Sequence, residues 1–333
     1  MRYVNKSLDH DLNVLRGVAA CLVFVWHYIH HSGLNNAREL WSVLPFFTEG
    51  HVGVSLFMVL SGYLFAAILT DKRVDWLQFW KNRFRRIVPL LAVTQVLWFI
   101  IAMTGDAPNP FENLLSKLLF SELEGAAWSI ATELHYYLLL PLILILLSRR
   151  WGLALLALAI AAEVVSYYSF SRDYTYHGIL GRLNQFVIGG LIFLYLDRVK
   201  YAGIACIFFW VYLIWFDWIG GHFYYRESDT PILAIRFTLE GIGFSAVLIT
   251  LKSCRIQPTA AYRLLGYVGE ISYSLYLWHL FVLGVFFRLA GDLPAGILHL
   301  SLMPVFLATT GLSHLSYRYI ELPFLTARTR YTS

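Results

Sequence analysis

Leu12-Asn13-Val14-Leu15-Arg16-Gly17-Val18-Ala19-Ala20-Cys21-Leu22-Val23-Phe24-Val25-Trp26-His27 decides the fold. The stretch lies in an apolar run long enough to cross a bilayer core as a helix. It has no period-two alternation, so it does not read as a barrel strand. Two polar side chains interrupt it, Arg16 and His27, eleven residues apart. At 3.6 residues per turn that spacing is close to three whole turns, so both groups leave the helix from one face, roughly 16 Å apart along the axis. No A-x-A-like cleavage site follows, so the run is a retained helix and not a removed signal.

Nine further apolar runs follow: 51–70, 87–104, 126–147, 151–168, 184–196, 201–219, 231–251, 264–289 and 297–317. With 12–30 they predict an all-α, polytopic transmembrane bundle of about ten spans. Helices satisfy their own backbone groups, as the bilayer interior requires. One domain covers 1–333, without internal repeats and with no soluble extension expected. Composition agrees: 58% of the residues are hydrophobic and 14% charged, against roughly 25% charged in soluble domains. The 11 Trp, 21 Tyr and 24 Phe suit two interfacial aromatic belts.

The net charge of +5 comes from loops between the runs, not from a basic surface interleaved with base-stacking aromatics, which excludes nucleic acid as a partner. Eighteen Lys and Arg fall in one set of loops and five in the other. The positive-inside rule then puts both termini in the cytoplasm. Cys21, Cys206 and Cys254 form no CxxC or metal-ligand spacing, so neither a disulfide framework nor a metal site is indicated.

Ionisable groups inside a span are costly and are candidates for function. Arg16, near the cytoplasmic end, can hold phosphate through a planar fork that stays charged. His27, towards the outer end, can move a proton near neutral pH. Together they suit a carrier with an anionic head and a distant reactive end. The bland alternative has Arg16 reaching lipid headgroups and His27 bonding a neighbouring helix. The loop Lys81-Asn82-Arg83-Phe84-Arg85-Arg86 extends the phosphate-binding surface or simply signals topology. Glu133, at a similar depth to His27, is read as orienting the imidazole or as a structural acid beside His135. His279 lies mid-span and lines a cavity or bonds between helices. Arg236 and Glu240 are one turn apart and read as a structural pair; Arg318 and Glu321 flank the last span and either pair or hold the end of that helix.

These segments together resemble the membrane acyltransferase family 3, integral membrane enzymes that O-acylate sugars and surface glycans. Leu15-Arg16-Gly17 with His27 is similar to its Arg-(ten residues)-His motif. Gly53-Val54-Ser55-Leu56-Phe57-Met58-Val59-Leu60-Ser61-Gly62 resembles its GVxLFFxLSG segment, and Arg83-Phe84-Arg85-Arg86 its RxxR element. Trp128-Ser129-Ile130 with Glu133 and Tyr137, Ser272 to His279, and Glu321-Leu322-Pro323 resemble three more. Two departures stand out: many members carry Asp where this chain has Ser55, and a second acid where it has Leu134.

The resemblance implies transfer of an acyl group, in the first instance acetyl, from cytoplasmic acyl-CoA to a sugar hydroxyl of a lipid-linked or exported glycan. It implies a multi-pass protein of a bacterial inner membrane, in contact with lipid. Arg16, Arg83 and Arg86 would bind the CoA phosphates. His27 would be the catalytic base or a transient acyl carrier, with Glu133 as the second catalytic group. Trp128, Ser129 and His279 would shape the acceptor cavity, and no metal is required. A homo-oligomer is left open. The rival readings are a transporter or flippase for a glycolipid or anionic solute, and a structural membrane subunit. The internal symmetry and broken helices common in transporters are not found in the sequence.

Overall fold

The computed structural model describes residues 10–32, 49–103, 125–148, 150–195, 202–218, 231–253, 258–291 and 293–332. Its elements are α1 His10–His31, a short 3-10 turn Gly50–Val52 leading into α2 Gly53–Leu69, α3 Trp76–Met103, α4 Trp128–Leu146, α5 Gly152–Ser169, α6 Arg172–His177, α7 Ile179–Tyr195, α8 Ala202–Trp218, α9 Arg236–Ser253, α10 Ala260–Glu270, α11 Ser272–Ala290 and α12 Ala295–Ser316. A π-turn Tyr317–Glu321 and a short helix α13 Leu322–Thr326 close the series. Among the described residues nine stretches are helical and apolar enough to cross a membrane. The apolar α8, with 17 residues, matches the short end of the usual spanning range.

The bundle is inside-out relative to a soluble protein. Leu289 and Leu300 are 82% and 79% exposed on its periphery, as a lipid-facing surface requires. Arg182, Asn184, Gln185, Arg236, Glu240 and His279 are buried inside it. Small residues let the inner helices approach closely, as in membrane helix pairs generally. A Cβ on Gly62 would collide with the Phe186 carbonyl, and one on Gly189 with that of Val59, so α2 and α7 meet backbone to backbone. Gly17 and Gly269 do the same for α1 and α10.

Three of the sequence boundaries need correction. The run at 184–196 is the end of a longer span, 173–195. Its first turns carry Arg182, Asn184 and Gln185, which lower the apparent hydropathy but are buried against polar partners. The run at 264–289 is two helices that break at Ile271, and α10 does not span. The segment Lys81–Arg86 is not a loop: α3 starts at Trp76, where Asp75 Oδ1 accepts from the Gln78 amide at 3.0 Å as an N-cap does. At 28 residues α3 is roughly 42 Å long, so its basic first turns extend beyond a hydrocarbon core of about 30 Å.

Of the residues used in the charge argument, Arg2, Lys6, Arg38, Lys117, Arg149, Arg198, Lys200, Arg226 and Arg255 lie outside the described residues, as does Cys254. Cys21 and Cys206 are free thiols.

Candidate active site

The two polar groups of α1 face the same neighbour. Arg16 Nε donates to Ser272 Oγ at 3.4 Å, and His27 Nδ1 lies 3.2 Å from His279 Nε2. Both partners belong to α11, so one seam between two helices carries both groups. α1 is unbroken between them, which keeps their separation at roughly 16 Å along the axis.

Hydrogen-bond chemistry fixes the tautomers along this seam. His279 Nδ1 is 2.6 Å from the Tyr276 carbonyl oxygen, which only accepts, so Nδ1 carries the proton and Nε2 the lone pair. That lone pair faces His27 Nδ1, which also lies 2.9 Å from the Val23 carbonyl. His27 therefore holds its proton on Nδ1, shared between these two acceptors, and Nε2 is left with a lone pair. An imidazole held this way is ready to accept a proton at Nε2. The pairing of His27 with Glu133 expected from depth along the helices is corrected here. The ring meets His279, and Glu133 accepts from Tyr137 Oη and, at 3.3 Å, from Ser61 Oγ.

Glu133 instead lines a cavity of about 70 Å³ together with Arg16, Ser61, Ser129, Ser272 and Tyr276. Ser129 Oγ donates to Tyr276 Oη at 2.8 Å. His27 and His279 do not line the cavity. Tyr276 touches both: it lines the cavity, and its ring lies 5.6 Å from that of His279. The groups expected along one tunnel are thus divided: Arg16 and Glu133 line the cavity, and His27 and His279 do not.

A basic sector adjoins the Arg16 end. Arg86 sits in the field of Arg16, and Glu321 feels both. Arg83 stacks over the rings of Phe65 and Phe79, at 5.2 and 5.4 Å, with its Nε buried and unpartnered. Glu321 was missed as a site residue. The sequence suggested an ion pair with Arg318, but the π-turn over Tyr317–Glu321 adds a residue to the helical register and turns the carboxylate inward, where it accepts from Ser274 Oγ. The ExP pattern around Glu321 was the available signal, and helical spacing alone misdirects it.

Trp128 belongs elsewhere. Its ring packs against His177 at 4.5 Å and Tyr176 at 5.2 Å, with the Arg182 guanidinium 5.6 Å away. Arg182 opens a second buried polar system. Its Nη1 donates to Ser55 Oγ at 3.0 Å, and Ser55 donates to Glu240 Oε2 at 2.5 Å. Arg236 Nε donates to Glu240 Oε1 at 2.6 Å, which matches the structural pair read from the sequence, and Glu49 lies 3.8 Å from Arg236. Glu163 accepts from Asn184, Thr238 and the Phe237 amide. Among the described residues no group of three or more His, Cys, Asp or Glu is placed to hold a metal ion.

Residues 9–318 match the family model of an acyltransferase domain, acyltransferase 3. The chain is similar to O-acetyltransferase OatA of Staphylococcus aureus, at 24% identity across 94% of this chain. It spans 56% of that relative's length. It is also similar to the exopolysaccharide production protein ExoZ of Rhizobium meliloti, at 29% identity across 72% of this chain and 78% of the relative. No solved structure matches it.

Proposed function

This chain belongs to the acyltransferase 3 family, and from that premise we propose that it moves an acyl group, acetyl in the first instance, from acyl-CoA to a sugar hydroxyl of a lipid-linked or exported glycan in a bacterial inner membrane. The names of the relatives, an O-acetyltransferase and an exopolysaccharide production protein, support the acceptor class. The observation that carries the reading is the α1–α11 seam, which holds a guanidinium and a base-competent imidazole on one face, roughly 16 Å apart.

In this reading Arg16, Arg83 and Arg86 hold the CoA phosphates on the cytoplasmic side, and the pantetheine arm enters the cavity past Ser61 and Ser129. Glu133 shapes that cavity and balances part of the charge on Arg16. Tyr276 swings aside to bring the thioester to His27. His27 Nε2 then takes the proton of the acceptor hydroxyl as its oxygen attacks the thioester carbonyl. The C–S bond breaks, the new ester forms, and His27 returns the proton to the leaving thiolate, releasing CoA as the free thiol. His279 acts as a positioning residue, because the Nδ1–H of a protonated His27 is held by its lone pair.

Purified protein in lipid nanodiscs, given labelled acetyl-CoA and a glycan acceptor, tests this directly. Label should move to the acceptor with wild type and not with His27→Ala. Transport of a glycolipid without acyl transfer, unaffected by that substitution, would replace the reading with the flippase alternative.

A further inference from the structure

Three arginines gather at one end of the bundle with little to neutralise them. Arg83 and Arg86 project from α3; Arg328 arrives on the segment after α13. Arg86 makes no hydrogen bond or ion pair with any described residue. The Arg83 Nε is buried without a partner. Arg328 spends one N–H on the Leu325 carbonyl, at 3.1 Å, and meets no carboxylate among the described residues. The neighbouring acid, Glu321, lies in the field of Arg86 and Arg16 and accepts from Ser274 Oγ.

The position of Arg328 is built. Residues 327–332 form a strap docked along the start of α3. Arg85 Nη1 donates to the Ala327 carbonyl at 2.9 Å, and Asn82 Nδ2 to that of Thr329 at 2.7 Å. The Asp75 amide donates to the Tyr331 carbonyl at 2.9 Å, and Val74 pairs with Thr332 in an antiparallel bridge. The backbone on both sides of residue 328 is therefore pinned to the helix that carries Arg83 and Arg86. Burial and those two guanidiniums pull Arg328 down from the ordinary arginine range to about 10, which leaves it cationic at neutral pH. A fold that fixes three like charges together is complementary to a polyanion. Arg328 lies beyond residues 9–318, so family membership does not assign it.

We propose that Arg328, presented by the strap 327–332, is the third guanidinium of a phosphate site shared with Arg83 and Arg86, and that it binds the phosphates of the CoA donor. The proposal rests on the acyl-CoA reading above. Lipid headgroups offer the same chemistry, and the test separates the two sources.

Equilibrium binding of CoA to the full chain is measured in nanodiscs of zwitterionic lipid and in nanodiscs containing anionic lipid. Arg328→Ala should weaken CoA binding about tenfold in both lipids and flatten its salt dependence, without moving the melting temperature of the unliganded protein. Arg328→Lys should recover part of the loss. Asn82→Ala, which keeps every arginine but frees the strap, should weaken CoA binding comparably; if that variant does not fold, Arg328→Ala decides alone. Wild-type affinity in Arg328→Ala overturns the inference and leaves the donor reading standing. A wild-type protein that binds no CoA overturns both. A loss confined to anionic nanodiscs assigns Arg328 to the headgroups of anionic lipid and overturns the inference.

Discussion

Two buried polar systems share this bundle, and they differ in how their charges are answered. Around α9 the charges close on one another: Arg236 meets Glu240 and Glu49, Arg182 reaches Glu240 through Ser55, and the Glu163 carboxylate takes three donors. Along the α1–α11 seam they do not close. Among the described residues Arg16 has one long hydrogen bond and Arg86 has none, and His27 keeps a lone pair at Nε2. An ion inside a membrane protein is a functional candidate by default, but here charge alone does not separate the two systems. What separates them is charge matching. Among the described residues the α9 system holds Arg236 against Glu240 and Glu49, even though Asn184 Oδ1 and Gln185 Oε1 there accept no hydrogen bond, while no arginine of the seam meets an acid within ion-pair distance.

The strongest way to break this comparison is His27→Ala. If the seam is the catalytic site, acyl transfer falls by about a thousandfold, the scale of a lost general base, while the melting temperature stays put. A variant that loses stability along with activity would move His27 into the structural class. The counterpart is Arg236→Met. Removing one partner of a buried pair leaves Glu240 and Glu49 uncompensated, at a cost of about 3–5 kcal/mol. Thermal unfolding in detergent should show that drop, with the activity per folded molecule unchanged.

Arg16→Ala sharpens the contrast from the other side. Arg16 is also a guanidinium inside the membrane, yet its removal deletes an under-paired charge, so stability should change by less than about 1 kcal/mol. The effect should fall on the donor: KM for acetyl-CoA rises about tenfold or more, as for a lost charge-assisted phosphate contact. A stability loss on the scale of Arg236→Met would show that the two systems are one.

The sequence made the bundle legible because hydrophobic runs and helical phase are local. The shared face of Arg16 and His27 followed from an eleven-residue spacing and is borne out by their common contacts with α11. Partner identity was not legible. His27 was matched to an acid at a similar depth, and its actual neighbour comes from α11, 252 residues away. Glu321 was placed by α-helical phase and then displaced by one extra residue in a π-turn. Arg182 and Asn184 hid the start of α7, since a hydropathy window counts polar atoms without seeing the carboxylate or hydroxyl each one meets. Spacing within a helix is readable from one strand of text; which helix stands opposite is a property of the assembled bundle.

The smallest effect tests the finest point of the comparison. The family resemblance implies an Asp where this chain has Ser55, and so a missing acid. The α9 system holds an acid at that spot all the same: Glu240 reaches across from α9 to accept from Ser55 Oγ, and Arg182 donates to that same hydroxyl. If the position requires one carboxylate and is indifferent to which helix supplies it, Ser55→Asp alone crowds two acids together and is destabilising. Glu240→Gln alone leaves Arg236 with only the more distant Glu49, and is destabilising as well. The double variant restores a single carboxylate between Arg182 and Arg236, so it should be more stable than the sum of the single effects, with a coupling of about 1–2 kcal/mol in a double-mutant cycle. Strict additivity would mean that Ser55 and Glu240 do not share a charge position, and that the α9 system is held together by Arg236 and its acids without the bridge to Arg182.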